Sequence, residues 1–451
     1  MTSNKSGYSE AFVWIWLPGA NEPVVAGKLT ADGDYLVFNY GKSYLGRKNA
    51  ISIYDAELPL KAGELPLLSG LSMQGCIRDA SPDAWGRRVI INKKLGLKGA
   101  DADSAQLDEL TYLLESGSDR IGALDFQPSA TEYVQRSSVN VTLDELLQSA
   151  ERVEKGIPLT AELDQALCHG SSIGGARPKA LVEDGGTKYI AKFSSSTDLY
   201  SVIKAEFISM RLASLAGLNV ALVSLTKSSN KDVLLIERFD RIHTTQGWQR
   251  KSRVSALTLL GLDEMMARYA NYQDLAEIIR HKFTNAPATL KELFSRMVFN
   301  ILSGNTDDHA RNHAAFWDGH MLTLTPAYDI CPQARSGNEA SQAMLISGDN
   351  RMSKISACLE AAHHFLLSEK EAMAIVEHQI SAIEENWHAV CEEADLAETD
   401  RTLLWGRQFL NPFSFDDLEG EFAELAKIWR RGRPNEARNV AIYLLRQLRG
   451  S

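Results

Sequence analysis

A chain of 451 residues is too long for one ordinary hydrophobic core, and 44% hydrophobic with 24% charged residues is the make-up of a soluble globular protein of two or three lobes. A formal net charge of −10 excludes broad autonomous binding to nucleic acid, because affinity for a phosphate backbone comes from Lys and Arg. No run approaches the roughly 20 apolar residues that span a bilayer, the first residues lack a basic stretch leading into an apolar one, and five scattered cysteines suit neither a disulfide framework nor a zinc site, so a cytoplasmic protein with no membrane contact is expected.

Residues 11–17, 24–30, 34–39 and 50–54 are predicted as short strands, separated by turns such as "ADGD", and form a β-rich amino-terminal module. In "GCIRDASPDAWGRR" Ser81 can cap a helix that carries Pro82 in its first turn. Helical patterns then continue to about residue 168, interrupted near "GALDFQPSATEY", which places a boundary near residue 135. "GSSIGGARPKA", residues 170–180, admits three readings: a G-x-S-x-G hydrolase elbow with Ser172 as nucleophile, a glycine-rich phosphate cradle, or a polar loop. An elbow needs a strand before the serine and a helix after it, and the flanking patterns run the other way.

"RPKALVED" and "TKYIAKFSS" flank the Asp184–Gly186 turn as a hairpin, a helix follows from about 199 to 216, and "VALVSLT" and "DVLLIERFD" read as two more strands. From residue 255 helices prevail, the clearest with Leu290, Leu293, Phe294, Met297, Val298, Ile301 and Leu302 on one face and Gly304 at its end. The basic tail 427–451 is predicted to close the chain with a helix opened by Pro434. Three parts result: residues 1–135, 136–241 and 242–451.

Immediately after the long helix, "GNTDDHARNH" (304–313) gathers more polar groups than packing requires. His309 and His313 are four apart, as metal ligands on a helix would be, but H-A-R-N-H lacks the glutamate of a zinc hydrolase. Asp307 and Asn312 have instead the D-x-x-x-x-N spacing of a phosphotransfer loop, in which a carboxylate accepts the proton of the attacking hydroxyl and an amide oxygen holds Mg²⁺. The further carboxylate that this chemistry needs for the metal is Asp329, after the strand-like "MLTLT". Upstream, Lys192 in "YIAKF" can neutralise nucleotide phosphates and Glu206 can pair with it. "LIERFD" ends the last small-lobe strand where a hinge offers backbone groups to adenine, with Asp240 placed for a ribose hydroxyl.

The stretches "SSIGGARPKA", "IAKF", "ERFDR", "GNTDDHARN" and "AYDI" together resemble the HipA family of toxin-type serine/threonine kinases. The resemblance spans most of residues 165–400, and "SPDAWGRR" is similar to the amino-terminal module of full-length members. It implies an α+β, bilobal protein-kinase-like fold: a small β-rich ATP lobe and a large helical lobe, plus the amino-terminal module. It further implies Asp307 as catalytic base and Asn312 and Asp329 as Mg²⁺ ligands. ATP would lie against Ser172, Ile173, Gly174, Gly175, Lys192, Glu237, Phe239, Asp240 and His309. Family behaviour implies autophosphorylation of Ser172, or less favourably Ser171, with the added charge acting as a self-inactivating switch. The implied partners are a HipB-like helix-turn-helix antitoxin, through which alone DNA is reached, and a protein substrate such as an aminoacyl-tRNA synthetase. A homodimer or an antitoxin-bridged assembly is the expected form. The rival expectations are a kinase-like scaffold acting as a transcriptional co-repressor and, on Ser172, a serine hydrolase.

Overall fold

The computed structural model describes residues 7–96, 105–136, 142–154, 157, 177–195, 198, 200–335, 337, 339–418 and 427. The glycine-rich loop residues Ser171, Ser172, Ile173, Gly174 and Gly175 and the basic tail beyond 427 lie outside them, as does Cys168. The other four cysteines are buried thiols. Among the described residues no helix is long and apolar enough to cross a membrane.

Packing divides the chain into two compact units. The first comprises residues 1–198, 222–263 and 314–325, and the second residues 199–221, 264–313 and 326–451.

All the strands lie in the first unit. β1 (Glu10–Ile15), β2 (Val24–Asp32), β3 (Tyr35–Tyr40) and β4 (Leu124–Gln127) form an antiparallel sheet in the order β3-β2-β1-β4. The strand expected at 50–54 does not form, since side chains rather than a partner strand satisfy its backbone. The Tyr44 hydroxyl donates to the Ile51 carbonyl, Ile53 N–H to the Tyr40 hydroxyl, and Trp317 Nε1 to the Ser52 carbonyl. α1 (Ala84–Leu95) begins after Asp83 instead of at Ser81, whose hydroxyl donates to Glu109 on α2 (Glu109–Glu115), the same carboxylate that Arg87 pairs with.

β5 (Lys179–Asp184), β6 (Thr187–Phe193), β7 (Val223–Ser228) and β8 (Lys231–Glu237) form a second antiparallel sheet in the order β5-β6-β8-β7. Gly185 and Gly186 connect its first hairpin with φ of 56° and 79°, the two positive values that a two-residue turn matched to strand twist requires. One face of this sheet, through Ala180, Ala191, Phe193 and Val233, shares a core with Trp85 and Val89 of α1 and with Leu146 and Ala150 of α3 (Leu143–Glu154). A ribbon of β9 (Arg241–Thr244) and β10 (Gly247–Arg250), and a sheet of β11 (Ser252–Ser255), β12 (Ala314–Trp317) and β13 (Leu322–Leu324), complete the unit.

The second unit is helical: α4 (Val202–Leu215), α5 (Tyr272–Lys282), α6 (Ala286–Leu302), α7 (Ile355–Ala361), α8 (Glu369–Glu393) and α9 (Glu398–Leu404). α6 starts with Pro287 in its first turn, and its expected stripe from Leu290 to Leu302 is fully buried. It is covered on its other faces too, so that Arg296 is buried and reaches Glu292 (2.8 Å) and the Asn219 carbonyl (3.2 Å). α8 opens with a capping box between Ser368 and Glu371.

Candidate active site

The loop 304–313 leaves the end of α6 through Gly304, whose φ of 71° turns the chain back. Neighbouring segments brace it. The Gly304 carbonyl accepts from Gln333 N–H (3.0 Å), the Thr306 carbonyl from Ala343 N–H (3.0 Å) and the Asn305 carbonyl from the Gln342 side chain (3.2 Å).

Within the loop the Asp307 carbonyl accepts from His309 N–H (2.9 Å) and from Asn312 Nδ2 (3.2 Å). The Asn312 amide nitrogen is thereby committed, and its oxygen is left for another partner. The Tyr328 hydroxyl donates to the Arg311 carbonyl (2.6 Å), tying the loop to the residue before Asp329. Asp329 itself has φ 60°, a left-handed backbone uncommon for a residue with a side chain and frequent where a site fixes a carboxylate.

Asp307 is exposed and Asp329 half-buried. Their charges meet: partial burial pushes the Asp307 carboxyl above its usual range, and the Asp329 and Asp308 charges add to it against the pull of His309. Two further polar atoms, Asn305 Oδ1 and His309 Nδ1, are buried without a partner among the described residues. Two carboxylates that repel, an amide oxygen held to one side and orphaned polar atoms beside them fit a hard divalent cation and the phosphates of a nucleotide, because Mg²⁺ takes one or two protein carboxylates and completes its shell with phosphate oxygens. The zinc arrangement considered for His309 and His313 does not form. The two lie on either side of a three-residue 3₁₀ turn, Ala310–Asn312, and His313 is turned inward onto Asp308. Among the described residues no three His, Cys, Asp or Glu side chains converge as ligands.

The first unit holds the other expected residues. Lys192 sits on β6 opposite Lys179 and Leu234, only 8% exposed. Glu237 ends β8, and Phe239 stands edge-on to Phe316 with ring centroids 5.8 Å apart. Glu206, in the second unit, is buried on α4.

Asp240, expected at a ribose hydroxyl, is engaged within its own unit. Its oxygens accept from Arg238 Nε (3.0 Å), Arg238 Nη2 (2.9 Å), Arg241 Nη1 (2.9 Å) and Gly122 N–H (2.7 Å), and it is 2% exposed. Three of these four bonds fall on Oδ2 and one on Oδ1, so the carboxylate is engaged mainly in locking the strand end. The hydrolase reading also loses its support, since the first element described after the glycine-rich loop is the strand β5 and not a helix.

Sequence reasoning missed three groups. Asp119 pairs with Arg238 (3.0 Å), Arg241 (2.8 Å) and Lys188 (2.5 Å) around the end of β8, and Glu264 holds Arg311 (3.1 Å). Tyr272 meets Asp308 and His313 under the loop. The adjacent pair Asp307-Asp308 was the one visible signal, because two consecutive carboxylates seldom share a task.

The family model of the HipA N-terminal domain matches residues 17–127, and that of the HipA-like C-terminal domain residues 171–387. Y4mE of Sinorhizobium fredii is 24% identical over 342 residues, 70% of this chain and 76% of that protein. The serine/threonine-protein kinase toxin HipA of Shewanella oneidensis is 26% identical over 241 residues, 48% of this chain and 54% of that protein. In its structure, a complex of HipA, HipB and operator DNA, a chain superposes with a TM-score of 0.62 at 19% identity, over 87% of this chain and 93% of that one, a likeness of fold. With both HipA domains matched in order and a kinase-like α+β fold, the chain belongs to the HipA family and is a protein kinase.

Proposed function

We propose that the chain transfers the γ-phosphoryl group of ATP to a serine or threonine hydroxyl of a cytoplasmic protein, and to Ser172 of its own glycine-rich loop. The observation that carries this reading is the meeting of Asp307, Asn312 and Asp329 in one braced loop system, with the Asp307 carboxyl raised by burial and by its negative neighbours.

Mg²⁺ supplies charge neutralisation on the nucleotide phosphates, and Asn312 and Asp329 would hold it. Asp307 orients the acceptor hydroxyl and takes its proton at a carboxylate oxygen. Lys192 neutralises phosphate charge, His309 contributes its unpartnered Nδ1 to the nucleotide, and the backbones of Glu237 and Phe239 receive adenine. Ser172, with Ile173, Gly174 and Gly175, would cover the phosphates, and its phosphorylation would place about −1.5 to −2 of charge where the γ-phosphate belongs, switching the enzyme off.

The partner is a HipB-like antitoxin, the structural relative being a complex with HipB and operator DNA. Dephosphorylated protein given Mg-ATP should gain 80 Da steps in intact mass, a phosphoryl-group increment fixed by chemistry. Asp307→Asn should not, and Glu183→Gln should behave as the parent. Absence of phosphate uptake by the parent chain refutes the reading.

A further inference from the structure

Asp307 and Asp308 are consecutive carboxylates with opposite fates: one is exposed, the other 1% exposed. Asp308 enters a buried polar trio in the second unit, in which both its oxygens are engaged and His313 Nδ1 has no partner among the described residues. The Tyr272 hydroxyl, at the first residue of α5, donates to Asp308 Oδ2, and His313 Nε2 lies 2.8 Å from Asp308 Oδ1 and 3.1 Å from the Tyr272 oxygen. The Tyr272 and His313 rings meet edge to face, centroids 5.4 Å apart, and both are buried. Burial, with the Asp308 charge beside it, pushes the Tyr272 hydroxyl well above its ordinary range, so it remains a donor. Tyr272 is anchored in turn by its N–H to the Leu345 carbonyl (2.9 Å).

Polar groups this deeply buried are costly to leave unsatisfied, so the trio admits few arrangements of the loop. Asp308 precedes the segment 309–312 and His313 follows it, so their mutual bond pins both ends of the stretch that carries His309 and Asn312. With Asp308 drawn inward, the residue before it faces out.

We infer that Tyr272, Asp308 and His313 form a positioning clamp for the phosphotransfer loop, selecting Asp307 and not Asp308 as the outward carboxylate and fixing its offset from Asn312. This inference rests on the reading of Asp307 as the base. The clamp residues touch neither substrate nor nucleotide; they act through the loop.

The test is single-turnover autophosphorylation followed by intact mass over a range of ATP concentrations, on full-length Asp308→Ala, Asp308→Asn and Tyr272→Phe, with Mg-ATP binding measured separately by calorimetry. A misplaced loop should slow the limiting rate by roughly 10- to 100-fold, a larger factor than the accompanying rise in the half-saturating ATP concentration and the ATP dissociation constant, because His309 and Asn312 move with the loop but Lys192 does not. Asp308→Asn, which keeps the shape and one acceptor, should recover part of the loss seen in Asp308→Ala. Tyr272→Phe removes a single oxygen and keeps the assay readable if Asp308→Ala does not fold. A limiting rate within about twofold of the parent in Tyr272→Phe and in a folded Asp308 variant overturns the clamp. So does a parallel loss of rate and ATP affinity that Asp308→Asn does not relieve. Asp307→Asn run alongside separates the two readings: activity retained there removes Asp307 as base, whatever the clamp variants do.

Discussion

Replacing Asp240 by Asn removes one negative charge from a buried cluster and almost nothing of its shape. Asp240 and Asp119 together face Arg238, Arg241 and Lys188, and the Arg238, Asp240 and Arg241 side chains are at most 3% exposed. Although burial pushes it up, the Arg238 and Arg241 guanidiniums hold the Asp240 carboxyl well below the ordinary range, and the same groups act on Asp119. The substitution leaves two buried guanidiniums and an ammonium sharing one carboxylate, and breaking a buried pair from one side costs about 3–5 kcal/mol. For a unit of this size that lowers the unfolding temperature by roughly 6–20 °C. Both carboxyl groups titrate below their unfolded values. Their contribution is therefore complete above about pH 5 and is lost progressively as pH falls from there toward the depressed folded values, so the gap between parent and variant should narrow, without closing, toward pH 3. Thermal unfolding from pH 3 to 7, with ATP saturation at pH 7, decides the matter. An Asp240→Asn protein as stable as the parent but with a several-fold weaker ATP half-saturation would return Asp240 to the ribose and refute the structural role.

Asp307→Asn should lower phosphate transfer by about 10²–10⁴-fold, the worth of a general base, with ATP affinity by calorimetry within about threefold of the parent. In the metal- and nucleotide-free protein the Asp307 carboxyl is raised, so its titration followed by carboxyl ¹³C NMR should have its inflection above the unperturbed figure of about 3.9, measured over the range in which the fold is intact. An inflection at or below that figure refutes the raised carboxyl. Gly304→Ala places a Cβ 2.6 Å from the Gln408 carbonyl at a φ of 71°, so it should cost about 2 kcal/mol or more in urea unfolding. It should also slow transfer by displacing the loop that follows.

The elements legible in the sequence are those whose signal is local. The Gly185-Gly186 turn sets its own hairpin, and the α6 stripe needs only its own spacing. The Asp307 to Asn312 interval lies within a single loop, so its placement beside Asp329 follows from a short stretch of chain. What was not legible depended on partners far away. Residues 50–54 have the composition of a strand, but tyrosine and tryptophan side chains, one of them 265 residues on, take their carbonyls and N–H groups. Asp240 lies in "ERFDR", where a hinge acid is a natural expectation; only the arrival of Gly122 and Asp119, more than a hundred residues earlier, shows that it is already engaged. Likewise Tyr272 stands 36 residues before Asp308, and no interval in the sequence links them.

These cases share a cause. A loop that presents a charge to a reacting group has no sheet ladder or helical hydrogen bonds to hold it, so something else must fix its position to within a fraction of an ångström. Apolar packing alone would accept a neighbouring register. A buried polar group that can be satisfied in one arrangement would not, because each alternative leaves a donor or acceptor unpaired. In this chain the anchors are drawn from the same residue types as the site and sit beside its members in sequence: Asp308 next to Asp307, and Arg238 and Asp240 around Phe239. An acidic motif read by composition therefore overstates the number of groups available for chemistry. Burial separates the two kinds, and so does substitution: at an outward acid a loss of charge should stop the reaction with the loop in place, whereas at an inward one it should move the loop with the chemistry still present.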